Sequence, residues 1–166
     1  MAPYDILHRG GIEVKTASIS LEERVLGAHG LPVLADSRLE KIEALPFDIL
    51  ILPGGGEGTK NLRNSLPVKN LIVASYNAGK TIAAICAAPS VLANAGILQN
   101  HEATSYPSVR ENVEPHCKKY LEEPVVASKN IITSRGAGTA AEFGFCLLSL
   151  LAGNEVSADV REKMLF

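Results

Sequence analysis

The sequence predicts an α/β fold in which a mostly parallel sheet lies under helices on both faces. Three observations carry this. The apolar runs at 47–52, 81–86 and 130–134 are short and bounded by Gly, Pro or polar residues, as strands covered on both faces are. Helix-like periodicity separates two of them, with Val68, Leu71, Ile72 and Ala74 recurring at three- and four-residue spacing. The longer apolar segment 138–153 reads as a helix packed on the sheet.

In chain order, residues 3–9 predict a short helix, because Tyr4, Ile6 and Leu7 share a face and Gly10-Gly11 supplies a stop. Residues 12–19 alternate apolar and polar side chains and predict a half-buried strand. Two short apolar runs around Gly27 and Gly30 predict an antiparallel excursion ending in a strand near 31–35. The run at 47–52 is predicted as a central strand. A helix over 67–77 stopped by Gly79, a strand at 81–86, a turn and a helix at 88–94 follow. The polar stretch 108–119 reads as surface helix or loop, ahead of the strand at 130–134 and the final helix. One domain spanning 1–166 around one core is expected.

Sixteen basic and 18 acidic residues are interspersed, leaving a formal charge of −2 and no basic block. That pattern gives no footing to nucleic acid or to an anionic membrane surface. No apolar run reaches the roughly 18–20 residues of a membrane span, and the first residues lack the basic-then-apolar order of a secretory signal. Three cysteines with no CxxC pair suit a reducing compartment, so the cytoplasm is the expected location.

Active sites in open parallel sheets form outside the carboxyl ends of the strands. Three such ends carry unusual residues: LPGGG after 47–52, ICAAP after 81–86 and TSRGAGT after 130–134. Cys86 stands at a sharp strand-to-helix turn among the small residues Ala84, Ala87 and Ala88, which is the setting that raises a nucleophile above a sheet. A helix amino end favours thiolate over thiol. The amides of Gly54, Gly55 and Ala87 can converge on such a sulfur to hold an oxyanion or an oxidised sulfinate. The residues alone also allow an inert core thiol at Cys86, since free cysteines are often buried. GGGEG lacks the ending of a phosphate loop and the full dinucleotide spacing, so no nucleotide cofactor is expected. Cys146, between Phe145 and Leu147, reads as core, and the lone His116-Cys117 pair is too sparse for zinc.

Together, ILPGGGEG, IAAICAAPSVLANAGIL and ITSRGAGTAAEFG, at these separations, resemble the ThiJ/PfpI superfamily, in the branch that contains the Parkinson-disease protein deglycase, often called DJ-one. The resemblance runs from about residue 3 to 160. It implies a flavodoxin-like three-layer sandwich, usually a homodimer, with Cys86 as the nucleophile at the elbow. Gly54, Gly55 and Ala87 then stand around the sulfur, and Arg135, Gly136 and Tyr106 match the pocket wall. Ala137 occupies a position where proline is common in the family.

In this branch a first strand and an acidic turn precede the helix matching 3–9, and a glutamate of that turn hydrogen-bonds the cysteine. Met1 stands after both, so the first strand is expected to be missing from between 12–19 and 47–52, with an upstream start as the favoured explanation. Unpaired backbone in such a gap costs on the order of 1–3 kcal/mol per buried group. Asp5 and Glu57 are the remaining candidates for the proton-moving carboxylate.

The resemblance implies two functional expectations. One is a cofactor-free, cysteine-dependent glyoxalase or deglycase acting on methylglyoxal, glyoxal or early glycation adducts. The other is a non-enzymatic oxidative-stress sensor or chaperone working through Cys86 oxidation. The peptidase side of the superfamily places a histidine after the nucleophile, where this chain has Ala87, and no H-x-E follows for an amidotransferase triad.

Overall fold

The computed structural model describes residues 1–42 and 47–166. The chain opens with α1 (Ala2–Arg9), followed by β1 (Ala17–Ser18), β2 (Arg24–Leu26), β3 (Pro32–Leu34) and β4 (Ser37–Arg38). β1 pairs parallel with β4, while β2 and β3 form an antiparallel hairpin. Next come β5 (Ile49–Leu52), α2 (Gly56–Asn64), α3 (Leu66–Asn77), β6 (Thr81–Ile85) and α4 (Pro89–Asn94). β7 (Glu102–Ala103) and β8 (Lys119–Tyr120) make a small parallel pair, and β9 (Val125–Ser128), β10 (Ile131–Ser134), α5 (Ala140–Ala152) and α6 (Asn154–Lys163) complete the chain.

The main sheet has the order β5-β6-β10-β9, parallel except for β9. Because side chains alternate across a strand, each strand feeds two cores. Leu50, Leu52, Ile82, Ala84 and Ile131 pack with Leu62, Val68, Ile72 and Leu92 of α2, α3 and α4. Ile49, Ile51, Ala83 and Ile132 pack on the other side with Ile6 and Leu7 of α1, Phe143 and Leu148 of α5 and Val160 of α6. The result is the helix–sheet–helix sandwich of the flavodoxin-like class.

Local chemistry sets the helix ends. The Ser65 hydroxyl accepts from the Val68 amide at 3.4 Å to start α3, and Gly79, at φ +72°, lets the chain turn back after it. α1 lies tight on α5, where a methyl at Gly144 would come within 2.8 Å of Ile6 Cδ1 and 3.1 Å of Pro3 Cα.

Most predicted elements are present at nearly the expected bounds, and the departures have physical causes. The alternation over 12–18 persists, with even positions turned inward, but among the described residues only Ala17–Ser18 finds a strand partner. Asp36 stitches that pair by accepting from the Thr16 amide at 2.8 Å and its hydroxyl at 2.7 Å, bonds that hold its carboxyl below the usual carboxylate range. The expectation that 47–52 is central is corrected: β5 is an edge of its sheet among the described residues. A continuous apolar run reports helices over both faces, and says nothing about neighbours on both edges. The Thr81 amide donates to Asp48, so the parallel ladder turns the backbone groups of Ile49 and Ile51 toward the open side. Six elements were not anticipated: the helices α2 and α6, strand β9 and the two-residue strands β4, β7 and β8. The sequence of α2, GEGTKNLRN, offers little apolar periodicity and buries only Thr59 and Leu62. Among the described residues no helix is long and apolar enough to cross a membrane.

Phe143 of α5 is the largest fully buried side chain among the described residues and belongs to the core shared with α1. Phe143→Ala is expected to cost about 3–5 kcal/mol in urea-induced unfolding; a loss under 1 kcal/mol would show that this helix layer does not hold the sheet.

Candidate active site

β6 ends at Ile85, and the next residue, Cys86, has φ +66°, in the left-handed region that side chains other than glycine seldom adopt. Four hydrogen bonds hold this elbow. The Cys86 amide donates to Ser134 O at 2.9 Å, and its carbonyl accepts from the Tyr106 amide at 2.8 Å. On the exit side the Ala88 amide donates to Ile85 O at 3.1 Å, and Ser90 Oγ donates to Ala87 O at 2.7 Å. After the turn, Pro89 starts the six-residue helix α4. The sulfur is therefore presented half-buried at the carboxyl edge of the sheet, not sealed among aliphatic groups.

The loop after β5 closes on this turn. A methyl at Gly54 would lie 2.5 Å from Cys86 Cβ, 2.7 Å from Ile85 O and 3.3 Å from Cys86 Sγ, so only glycine lets the two backbones meet. Gly55 follows at φ +96° and caps α2. Neither the Gly55 nor the Ala87 amide has a hydrogen-bond partner among the described residues; Ala87 directly follows Cys86, and Gly55 follows the Gly54 that packs on it.

Cys86 opens into a cavity of about 340 Å³, with Ala87, Ser90, Tyr106, Ser108 and Val109 on one side and Gly56, Thr59, Lys60 and Arg63 of α2 on the other. Tyr106 is thus brought to the sulfur, and its ring packs on Gly136, where a methyl would stand 3.3 Å from Tyr106 Cδ2. Arg135 turns away: its guanidinium donates to Glu122 O at 3.2 Å, and it does not line the cavity. Neither do the carboxylate candidates. Asp5 pairs with Arg9 at 2.8 Å on the surface of α1, and Glu57 projects from the first turn of α2 into solvent.

The α2 side of the cavity was not read from the sequence. Its one available signal was the three-residue spacing of Lys60 and Arg63 directly after a glycine turn, which becomes meaningful only once 56–64 is known to be helical. The other two thiols lack such a setting. Burial pushes both Cys117 and Cys146 up; Cys117 contacts Glu114 O, and Cys146 borders a hollow of about 440 Å³ between α5 and α6. No cluster of three or more His, Cys, Asp or Glu suited to a metal occurs among the described residues.

The profile of the DJ-1/PfpI family matches residues 1–150. The chain belongs to that family. The crystal structure of DJ-1beta from Drosophila melanogaster superposes with a TM-score of 0.93 at 36% identity, covering 99% of this chain and 88% of that one. DJ-1 homolog A from Arabidopsis thaliana is 35% identical over 166 residues, and this chain spans 42% of its length. A Caenorhabditis elegans protein named glutathione-independent glyoxalase DJR-1.2 is 36% identical over 151 residues, which cover 91% of this chain and 80% of that one. DJ-1/PfpI membership agrees with the resemblance carried by the three loop motifs.

Gly54→Ala is expected to force the elbow and the glycine loop apart, costing about 1–3 kcal/mol of stability and slowing alkylation of Cys86 by iodoacetamide. Unchanged stability and alkylation would show that the two backbones do not meet as closely as the geometry has them.

Proposed function

We propose that this protein is a cysteine-dependent, cofactor-free enzyme of the glyoxalase and deglycase type, converting methylglyoxal or glyoxal to the hydroxy acid or removing early glycation adducts. The observation that carries the reading is Cys86, held at φ +66° over a cavity with the bare backbone of Gly54 against it. The name of the glyoxalase relative from C. elegans supports it.

In this reading Cys86 Sγ adds to the aldehyde carbon of methylglyoxal, and the carbonyl oxygen takes the proton, giving a hemithioacetal. The Gly55 and Ala87 amides hold that oxygen while it carries charge. The hydrogen on the former aldehyde carbon then moves as a proton to the neighbouring carbon through an enediol, leaving a thioester. Water cleaves the thioester, releasing lactate and restoring the thiol. Tyr106 closes one wall, with Gly136 behind its ring; Arg135 acts as a brace for the 122–124 segment and not as a ligand.

A second reading is favoured by the absence of Asp and Glu from the cavity lining among the described residues. General acid–base groups supply about 10²–10⁴ of rate, whereas oxidation by peroxide needs no such shuttle. There, Cys86 and one peroxide give sulfenate and water, and a second peroxide gives sulfinate and water. Lactate formation from methylglyoxal by the purified chain is expected, and is expected to vanish in Cys86→Ser. Turnover surviving in that variant would eliminate the mechanism; no turnover in the native chain, with two oxygens added at Cys86 under mild peroxide, would leave the sensor.

A second copy of the chain is proposed as the partner, as the family resemblance implies. The β2–β3 hairpin exposes Val25, Leu26, Leu31 and Leu34, and a lone two-stranded hairpin is marginal in water unless something covers it. Sedimentation is expected to give a dimer that Leu26→Asp with Leu34→Asp converts to monomer; a native chain that sediments as a monomer would refute it.

A further inference from the structure

One wall of the cavity is the turn Pro107–Asn112, which contributes Ser108 and Val109 to the lining directly after Tyr106. This turn has little hold of its own: it winds as a 3₁₀ helix, whose hydrogen bonds are poorer than those of an α-helix, and none of its residues is buried. Its near end is fixed, because the Tyr106 amide donates to Cys86 O at 2.8 Å and the Tyr120 hydroxyl donates to Ser105 O at 3.1 Å. Its far end runs into the buried Val113. Between these points the turn touches α4 and is otherwise held by one side chain. Arg110 grips Glu114 through Nε at 2.8 Å and Nη2 at 2.9 Å, reaches Glu122 Oε1 through Nη1 at 2.8 Å and lies 4.8 Å over the Tyr120 ring. These are the turn's side-chain hydrogen bonds among the described residues, and they hold the Glu114 carboxyl below the usual carboxylate range.

Glu122 is itself anchored. Its carbonyl accepts from Arg135 Nη1 at 3.2 Å, and Pro124 O accepts from Ser134 Oγ at 2.9 Å and from the Arg135 amide at 3.2 Å. Ser134 supplies the carbonyl that accepts from the Cys86 amide. The contacts therefore close a ring that runs from Cys86 through Tyr106, the turn, Arg110 and Glu122 and returns through Arg135 and Ser134. A single exposed ion pair holds little, but a guanidinium forked onto one carboxylate, shared with a second and stacked on an aromatic ring is the arrangement in which surface charges do fix a position. We infer that Arg110 is a positioning residue of the active site, which, by gripping Glu114 and Glu122, holds the 107–112 turn as a fixed wall of the cavity and so limits the size of the carbonyl compound that reaches Cys86. The inference rests on Cys86 being the reacting group, and it chooses among the proposed substrates: small free dicarbonyls ahead of adducts carried on another protein.

Alkylation of Cys86 in the full chain reads the wall without requiring turnover. Iodoacetamide and iodoacetanilide carry the same reacting group and no charge, and differ by one phenyl ring. Their rates are followed by the mass of the Cys86 peptide, each divided by the rate of the same reagent with N-acetylcysteine. The native chain is expected to favour the small reagent. That preference is expected to fall about threefold to tenfold in Arg110→Gln, the scale on which a pocket wall tells small from large, and to fall in the same direction in Glu122→Ala. The double variant is expected to fall no further than Arg110→Gln alone, because both substitutions cut the same tie. Arg110→Lys, which keeps a charged contact but not the fork, is expected to recover part of the preference. Lys163→Gln, which breaks the exposed pair with Asp159 on α6, is expected to leave it as it is. No preference in the native chain, a preference that Arg110→Gln leaves unchanged or that Lys163→Gln lowers equally, effects of Arg110→Gln and Glu122→Ala that add, or no recovery in Arg110→Lys overturns the inference. Lactate formation that fails while these shifts appear strikes only the glyoxalase reading, and shifts that fail while lactate forms strike only the role of Arg110.

Discussion

The site depends on one close approach, the backbone of Gly54 against the β carbon of Cys86. A left-handed residue that is not glycine costs on the order of 1–3 kcal/mol and persists only where its surroundings over-determine it. Here the Ser134 carbonyl and the Tyr106 amide pin Cys86 from both sides, the Ile85 carbonyl fixes the exit and the bare Gly54 backbone occupies the remaining space. Each partner comes from a different segment of the chain, namely β10, the loop before the 107–112 turn, β6 and the loop after β5. The elbow is thus a product of the parallel sheet, which brings the ends of β5, β6 and β10 to one edge.

That dependence explains what the sequence made legible. ILPGGG, ICAAP and TSRG could be read because a tight turn and a close approach each demand a residue type: glycine where a side chain would collide, alanine where the turn closes on itself. Buried strands were legible for the related reason that a two-faced core demands continuous apolar runs, as at Ile49–Leu52 and Ile131–Ser134. The α2 helix was not legible, because its residues meet demands set by a neighbour and not by the helix itself. Thr59 and Leu62 are buried while Lys60 and Arg63 face the cavity, and no periodic signal distinguishes that from a loop. The pocket role expected for Arg135 failed for a similar reason. A long side chain beside an active turn can reach either way, and the free carbonyl of Glu122 decided the direction.

The open edge of β5 belongs to the same account. Ile49 and Ile51 have faces covered by α1 and α5 but backbone groups turned outward, while the 12–18 segment, inward-facing at alternate positions, pairs only at its end among the described residues. The positions where a strand is expected between them are therefore those where the sequence pattern and the pairing disagree. Cys86 is separated from this edge by β5 and the Gly54–Gly56 turn, so the geometry of the elbow is fixed by strands that do pair.

Charge, and not shape, finally distinguishes the two walls of the cavity. On the side of Tyr106, Ser108 and Ala87 the lining is neutral, and the hydrogen bonds of Ser90 and of the Tyr106 amide are spent on holding the elbow. On the α2 side Lys60 and Arg63 are exposed to solvent, and the buried Thr59 hydroxyl has no partner among the described residues. The hydrogen bonds that shape the neutral wall are thus the ones that hold Cys86, whereas the charged side chains of the α2 wall take no part in the elbow.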